Sequence, residues 1–330
     1  MDYVSKVIKF GKNNKEQNAK HILLCGDKNY IKYCGVTLTS ILLSNPDKNF
    51  TFHLFCDDIS EKDLEKIKET AEKFNTIINI YYLNVDLLEK FSTDMQGNDH
   101  ISIAAYFRFI AFGELSKCID KVLYLDSDIL VKGSIVDFWN TEMCSKCAIV
   151  IEDAAGKENA KRLKTDKYFN SGVMFVDLKI WDDKDYTKKC IEVAAKKVYR
   201  FLDQDILNLV LDENIILIDK KYNYNYSLSR LMDKSKKPSA EKLSDDIVIC
   251  HFIGASKPWH SWVQCFDAVK QYNFIKEHSA WNDNNTVTPF DMKKDKYKYM
   301  HKFARLSKKE SNYKEMCYWY LQYAINKVLK

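Results

Sequence analysis

Two carboxylates, Asp126 and Asp128, flank Ser127 inside the apolar run "KVLYLDSDILVKG" (121–133). Along a strand, residues i and i+2 point to the same face, so a strand continuing through them would lean both carboxylates onto one side. Charges held that close repel unless a cation, a proton or solvent separates them. The alternative is a strand that ends at Leu125, with both aspartates in a solvated turn. A hard divalent cation answers the first case, because Mg2+ and Mn2+ prefer carboxylate oxygens and take a diphosphate as co-ligand. His251, at the end of the apolar run "DIVICHFIG", is a candidate third ligand that would tilt preference from Mg2+ toward Mn2+. By itself it reads more readily as a histidine at the edge of the core. The stretch that follows, "HFIGASKPWHSW", supplies Gly254 for close backbone approach and Lys257 as a point charge for phosphate. Trp259 and His260 would wall such a pocket, or anchor a surface loop.

These residues need a scaffold, and the alternation of patterns supplies one. Residues 1–20 are polar and read as an arm. From His21, "HILLC" reads as a strand and "YIKYCGVTLTSILLS" as a helix stopped by Pro46. "FTFHLFC" is a second strand. "SEKDLEKIKETAEKF" is an amphipathic helix capped by Ser60, with Asp63 at the capping-box position and Leu64, Ile67, Ala71 and Phe74 along one face. "IINIYYLN" is a third strand, and "AAYFRFIAFGEL" a helix leading into the run that holds the aspartates. Strand and helix alternating in this way imply an α/β fold, a mainly parallel sheet with helices on both faces. In such sheets ligands sit beyond the carboxyl ends of the strands. Gly26-Asp27 and Asp126-Ser127-Asp128 both fall there. The dinucleotide fingerprint G-x-G-x-x-G and the phosphate loop G-x-x-x-x-G-K-[ST] are absent, which argues against an ordinary dehydrogenase or P-loop NTPase. A nucleotidyltransferase would want a Gly- and Lys-rich loop after the first strand, and "CGDKNYIKYCG" does not supply it.

With 46% apolar and 29% charged residues over 330 positions, the chain is globular, with one large domain or two and no internal repeat. "MDYVSKVIKFGKNN" shows no signal peptide, and no apolar run approaches a membrane span. Most of the ten cysteines lie in apolar segments and read as reduced core thiols of a cytosolic protein. The Cys144-x-x-Cys147 pair lacks the second pair that a structural metal site would need. Charge is uneven: residues 291–330 hold eleven Lys/Arg and four Asp/Glu, a balance of +7, which leaves −2 for the first 290. A basic tail on a near-neutral body points to an anionic partner for the tail, not to a nucleic-acid-binding body.

Six blocks in order, "CGDKNY", "SIAAYFRF", "KVLYLDSDILVKG", "YFNSGVMFVDLKIW", "DQDILNLVL" and "HFIGASKPWH", resemble the retaining glycosyltransferases of family 8, which have the GT-A fold. The likeness is to the bacterial hexosyltransferases that build the lipopolysaccharide outer core, and it spans about residues 21–262. It implies a Rossmann-like, mainly parallel mixed sheet with a small helical, basic C-terminal extension. The divisions would be an N-terminal arm at 1–20, a catalytic domain at 21–265 and the extension at 266–330. The reaction implied is transfer of galactose or glucose from UDP-galactose or UDP-glucose to a lipopolysaccharide core sugar, through an α-1,3 or α-1,2 linkage. Other glycan or protein acceptors, and a non-catalytic UDP-sugar-binding scaffold, are the alternatives.

Residue by residue, the resemblance implies that Asp126, Asp128 and His251 bind Mn2+ or Mg2+. UDP would lie against Cys25, Gly26, Asp27, Asn29, Tyr30, Asp126, Ser127, Gly254 and Lys257, with Asp27 bonding to the uracil and Tyr30 stacking on it. Arg108, Asn170, Ser171, Asp203 and Gln204 would surround the donor sugar, although Arg108 also fits a helix-surface ion pair and Asp203 an N-cap. His100, Ala255, Trp259 and His260 would face the acceptor. The loops at Ser92–Asp99 and Asp153–Lys167, which should choose the acceptor, show no readable pattern. Gln204, nearest the β face, is a poor nucleophile, so a front-face reaction is favoured in which the leaving phosphate helps deprotonate the acceptor hydroxyl. Asp203 as a covalent nucleophile is the other route. In the tail, "SNYKEMCYWYLQYAINKVLK" spaces Tyr313, Cys317, Tyr320, Ala324 and Val328 helically. That helix would either lie on the anionic cytoplasmic face of the inner membrane or dock on the body.

Overall fold

The structure, a computed structural model, describes residues 3–12, 19–84, 106–283, 286–292 and 294–328. Its strands are β1 (Val4–Phe10), β2 (Lys20–Cys25), β3 (Phe50–Cys56), β4 (Ile77–Leu83), β5 (Lys121–Leu125), β6 (Ile129–Val131), β7 (Ala148–Glu152), β8 (Phe169–Asp177), β9 (Ile215–Ile218), β10 (Tyr224–Asn225) and β11 (Ile249–His251). Eight form one sheet in the order β1-β4-β3-β2-β5-β8-β7-β9, and β10-β11-β6 form a small second sheet. The block β4-β3-β2-β5 is parallel throughout. Antiparallel β8 enters between β5 and β7, and β9 runs parallel to β7. The stretch read as a polar arm instead carries β1, an antiparallel edge strand on β4. In its "VSKVIKF", Val4, Ile8 and Phe10 are half-buried while Ser5, Lys6, Val7 and Lys9 are exposed, which suits an edge with one solvated face.

Helices α1 (Ile31–Ser44) and α2 (Glu61–Lys73) cross over between the parallel strands, and α3 (Phe107–Leu115) precedes β5. Short α4 (Val136–Trp139), α5 (Gly156–Leu163), α6 (Leu178–Asp183) and α7 (Tyr186–Ala194) follow, then α8 (Leu202–Leu211) and α9 (Leu228–Lys234). The chain ends in α10 (Asp267–His278), α11 (Lys296–Lys309) and α12 (Tyr313–Val328). The capped start of α2 is as the sequence predicts: Ser60 Oγ accepts the Asp63 N–H at 3.1 Å, and Ile67 and Ala71 are buried. One apolar layer, on α1, α2 and α10, covers one face of the sheet; a second, on α3, α6, α7 and α8, covers the other.

The break expected at 265 is not a break in the core. Phe266, Val269, Tyr272 and Trp281 belong to the same apolar cluster as α1 and β3. The Trp281 indole donates to Asp63 at 2.8 Å, and its ring lies so close to Gly35 that an added Cβ there would stand 2.2 Å from it. Lys309 ties α11 to the body by donating to the carbonyls of Met232, Asp233 and Ser235 around the end of α9. None of the ten cysteines is in a disulfide.

Across β2, β3 and β4 a polar file runs through the sheet, with His53 buried and His21 and Tyr81 half-buried. His53 lies 3.0 Å from His21 and 3.0 Å from the Tyr81 hydroxyl. Burial, then the neighbouring His21, lowers the His53 pKa from 6.5 to about 3. The folded protein therefore holds His53 neutral where the unfolded chain would protonate it. Its contribution is complete above pH 6.5 and is lost as pH falls from 6.5 toward 3, at up to about 1.4 kcal/mol per unit. Urea unfolding between pH 7.5 and 4.5 should show this slope in the wild type and a shallower one in His53→Gln. Equal slopes would refute the assignment.

Candidate active site

The parallel block has a switch point between β2 and β5: the chain leaves β2 for β3 and β4 on one side, while β5 lies on the other. The crevice beyond two such strand ends is where ligands enter α/β sheets. Gly26-Asp27 follows β2 and Asp126-Ser127-Asp128 follows β5. The strand does stop at Leu125, as the turn alternative has it, yet the turn is largely enclosed, with Ser127 buried and the two aspartates half-buried. Thr37 on α1 donates to the carbonyls of Ser127 (3.0 Å) and Ile129 (2.9 Å), folding the chain straight into β6. β6 pairs with β11 so that Ile129 faces His251, and the Phe252 N–H bonds to the Asp128 carbonyl at 3.0 Å. Two short strands thus deliver a histidine to a pair of aspartates 125 and 123 positions earlier.

Ligand atoms of Asp126, Asp128 and His251 all lie within 4.8 Å of one another. His251 Nε2 is 3.2 Å from Asp128 Oδ1 and 3.7 Å from Asp126 Oδ2. Asp128 Oδ1 is buried with no hydrogen-bond partner among the described residues, while Oδ2 bonds to the Lys257 ammonium. Burial would raise the Asp128 carboxyl, but Lys257 and then His251 outweigh it and hold the group well below the usual carboxylate range. An orphaned carboxylate oxygen beside an imidazole nitrogen is the donor set of a divalent cation, so these residues fit the metal that the sequence implies.

Space for that group is made by a residue that sequence reasoning passed over. Between Val150 and Ile151, β7 moves by one position while its partner on β8 shifts from Met174 to Asn170, so Ser171, Gly172 and Val173 have no partner on β7; Val173 stays paired with Leu125, and the Gly172 carbonyl accepts the Asp126 N–H at 2.9 Å. A Cβ on Gly172 would stand 2.3 Å from His251 Cε1 and 2.8 Å from Asp126 Oδ2. The signal was present: a glycine inside an otherwise apolar buried strand marks a bulge or a close approach.

Arg108 is not the surface ion pair that its helix allowed. It is 5% exposed, lies over the Tyr124 ring, and donates to Asp126 Oδ1 (3.0 Å) and the Ser171 carbonyl (2.7 Å). Its Nε is 3.3 Å from Asp203 Oδ2. Asp203 is not the N-cap, which falls at Phe201, but a buried carboxylate that accepts from Ser171 Oγ at 3.0 Å. Burial, opposed by Arg108, raises it to about 6. Gln204 Oε1 accepts from Asn170 Nδ2 (3.0 Å) and Ser171 N–H (3.2 Å). Arg108, Asn170, Ser171, Asp203 and Gln204 therefore come together against the aspartates. Asp205 points away, bidentate with Arg162 at 2.7 and 2.8 Å. Asp153, Tyr168 and Asn223 also join this network, and sequence reasoning did not single them out.

At the other end, Asp27 Oδ1 accepts the Asn29 N–H at 2.8 Å and Tyr30 starts α1, packed edge-on to Trp259. Cys25 is buried at the end of β2. Gly254, at φ +85, has open space where a Cβ would be, and Ala255 is exposed beside it. Trp259 and His260, expected to wall the pocket and meet the acceptor, sit behind this loop instead. Trp259 stacks on Tyr33 at 3.5 Å, and His260 Nδ1 accepts the Lys257 N–H at 3.1 Å. The left-handed turn at Gly254 presents the backbone outward and sends the aromatic rings into the core, where burial favours them. His100 and the loop 92–99 lie outside the described residues.

The family model described as Glycosyl transferase family 8 matches residues 21–263. A lipopolysaccharide 1,2-glucosyltransferase of Escherichia coli (strain K12) is 32% identical over 83% of this chain and 82% of its own length. A lipopolysaccharide 1,3-galactosyltransferase of Salmonella typhimurium is 30% identical over 92% of this chain and 90% of its own. Among solved structures, the galactosyltransferase LgtC in complex with donor and acceptor sugar analogs superposes at TM-score 0.65, with 24% identity, over 78% of this chain and 96% of that one.

Proposed function

The chain belongs to glycosyl transferase family 8, and from that premise we propose that it moves galactose or glucose from a UDP-sugar to a lipopolysaccharide core sugar. The linkage would be α-1,3 or α-1,2, made with retention. The observation that carries this reading is the convergence of Asp126, Asp128 and His251 at the switch point, with Arg108, Asp203 and Gln204 packed against them. The relatives' names, glucosyl- and galactosyltransferases of lipopolysaccharide, support the acceptor class. We assign donor binding and catalysis to residues 21–265, a span that the family-model match at 21–263 nearly fills.

Asp126, Asp128 and His251 would hold the ion, and the histidine favours Mn2+ over Mg2+. When bound, the ion acts as a Lewis acid on the leaving diphosphate. Lys257, 17% exposed beside Asp128, is placed to turn its ammonium onto the same phosphates, with the Gly254 backbone alongside. Cys25, Gly26, Asp27, Asn29, Tyr30 and Ser127 line the nucleotide end. On the sugar side, Arg108 and the Asn170–Gln204 pair orient the hexose. Gln204, an amide held by Asn170, Ser171, Tyr168 and Asp153, suits electrostatic support of a cationic anomeric carbon better than covalent attack. The leaving phosphate then takes the proton of the acceptor hydroxyl on the same face. Asp203 is turned into its pair with Arg108, which disfavours it as a nucleophile.

UDP release by the purified protein, with UDP-glucose or UDP-galactose and with or without Mn2+, tests the reading. Metal-dependent turnover of one donor supports it and names the sugar; failure to bind UDP with Mn2+ refutes it. A non-catalytic scaffold is disfavoured because every expected metal ligand is in place.

The tail bears on location. α12 docks on α11 through Trp319, with Tyr320 and Tyr323 packed alongside. Its opposite face leaves Tyr318, Leu321, Ile325 and Val328 exposed, a stripe at helical spacing with Lys314 and Lys327 exposed alongside. No helix among the described residues is long and apolar enough to cross a membrane. We read this face as a peripheral contact with the anionic cytoplasmic surface of the inner membrane, where a lipid-linked acceptor resides. Leu321→Ser/Ile325→Ser should reduce co-sedimentation with anionic phospholipid vesicles several-fold, leaving turnover of a soluble acceptor intact. Unchanged sedimentation would refute the contact.

A further inference from the structure

We propose that Asn223 is a positioning residue of the metal centre, aiming the Nε2 lone pair of His251 at the two aspartates and coupling that aim to the donor-sugar residues. The inference rests on the metal reading above. Asn223, 1% exposed, follows the turn that leads into β10 and sits between His251 and Asn170. Its two ends look alike in shape and opposite in chemistry, so its orientation has to be derived from its neighbours.

Main-chain groups settle it from two sides. The Gly172 N–H, a donor without ambiguity, bonds at 3.1 Å to the Asn170 side chain, so that atom is the Asn170 oxygen. The Asn223 atom 2.9 Å from the same oxygen must then be its NH2. Independently, the Ala154 N–H bonds at 3.2 Å to the Asn225 oxygen, leaving the Asn225 NH2 to face Asn223 Oδ1 at 3.4 Å. Both routes place the Asn223 oxygen against His251 Nδ1, at 3.0 Å. That nitrogen therefore carries a hydrogen, and Nε2 is the ring nitrogen left to face Asp128 Oδ1 at 3.2 Å and Asp126 Oδ2 at 3.7 Å, where its lone pair can be offered to a cation. This nitrogen and the two carboxylates call for a positive charge among them, a proton or a metal ion.

The chain extends the other way as well. The Asn170 NH2 donates to Gln204 Oε1, the Gln204 NH2 to Tyr168 Oη, and the Tyr168 hydroxyl to Asp205, which Arg162 clamps. One directional series of hydrogen bonds thus runs from the histidine through the donor-sugar amides to buried Asp205 and its half-exposed partner Arg162. Asn223 is its joint: an acceptor toward the histidine and a donor toward Asn170. Partners that orient a metal-bound histidine typically govern metal affinity 10- to 100-fold.

The joint can be cut one side at a time. Asn223→Asp keeps an acceptor for His251 but cannot donate to Asn170. Asn223→Ser, too short to span, loses both. We expect Asn223→Ser to weaken Mn2+ binding, titrated with UDP present and read from the paramagnetic resonance of free Mn2+, by about 10- to 100-fold. Asn223→Asp should hold Mn2+ within about threefold of wild type yet raise the KM for the UDP-sugar. Thermal melts of both variants establish that each is folded, and the Asp variant keeps the test open should the Ser variant fail to fold. Equal Mn2+ affinity in both variants, or equal loss in both, would overturn the assignment of Asn223. Wild-type protein that binds no Mn2+ would overturn the metal reading on which it stands, and so the two failures are distinct.

Discussion

Replacing Asp128 by alanine is expected to lower UDP-sugar turnover by about 10²- to 10³-fold, the loss typical when a preorganised charge is removed from a reacting group. Asp128 is the most committed of the three candidate ligands. One oxygen bonds to Lys257, and the other is buried without a hydrogen-bond partner among the described residues, 3.2 Å from His251 Nε2. Alanine removes the anchor for a cation and frees Lys257, which keeps its bond to the Phe252 carbonyl at 2.8 Å. The ammonium therefore has a remaining partner, and the fold should survive. Asp128→Asn separates charge from shape, because an amide fills the same volume without the negative charge. Both variants should lose Mn2+ binding, with melting temperatures a few degrees from wild type. Turnover within tenfold of wild type in Asp128→Ala would sink the placement of the metal at this turn.

Gly172→Ala should be nearly as damaging, although it adds one methyl group to a residue with no chemistry of its own. The new carbon would stand 2.3 Å from His251 Cε1 and 2.8 Å from both His251 Nδ1 and Asp126 Oδ2. Neither neighbour can swing aside easily: the imidazole is held by Asn223, and Asp126 by Arg108 and by Tyr124 at 2.5 Å. Overpacking of this kind costs about 1–3 kcal/mol of stability. The larger effect is on geometry, since metal ligands displaced by a few tenths of an ångström bind poorly. The expected signature is loss of Mn2+ affinity and of turnover together, with a smaller fall in melting temperature. A variant that melts earlier but binds Mn2+ like wild type would show that the bulge accommodates packing alone.

Much of this was legible in the chain. The alternation of apolar runs with amphipathic stretches defined the parallel block and its crossovers, because side-chain period is a local property. The cap at Ser60, the stop before Pro46 and the aspartate pair are equally local. For the C-terminal helix the sequence allows a place on a membrane or a dock on the body. The structure docks one face and leaves the other, apolar one open; the face set out in the sequence was close to the exposed stripe but included Tyr320, which is part of the docked side. The arm at the N-terminus became an edge strand because an unpaired sheet edge was waiting on β4, which residues 1–20 alone do not reveal.

Composition and order along the chain determined by themselves that this is an α/β protein with carboxylates at a strand end, a histidine and a lysine near its C-terminal third, and a family likeness from 21 to about 262. Tertiary structure decided the rest. Whether the strand ran through Asp126 depended on Thr37, some ninety positions away, which turns the chain at Ser127. That Gly172 makes room, that Asn223 orients His251, and that Trp259 and His260 face inward all depend on partners that strand order brings together. Periodicity encodes the face a side chain takes on its own element, and it carries no information about which distant residue will stand opposite.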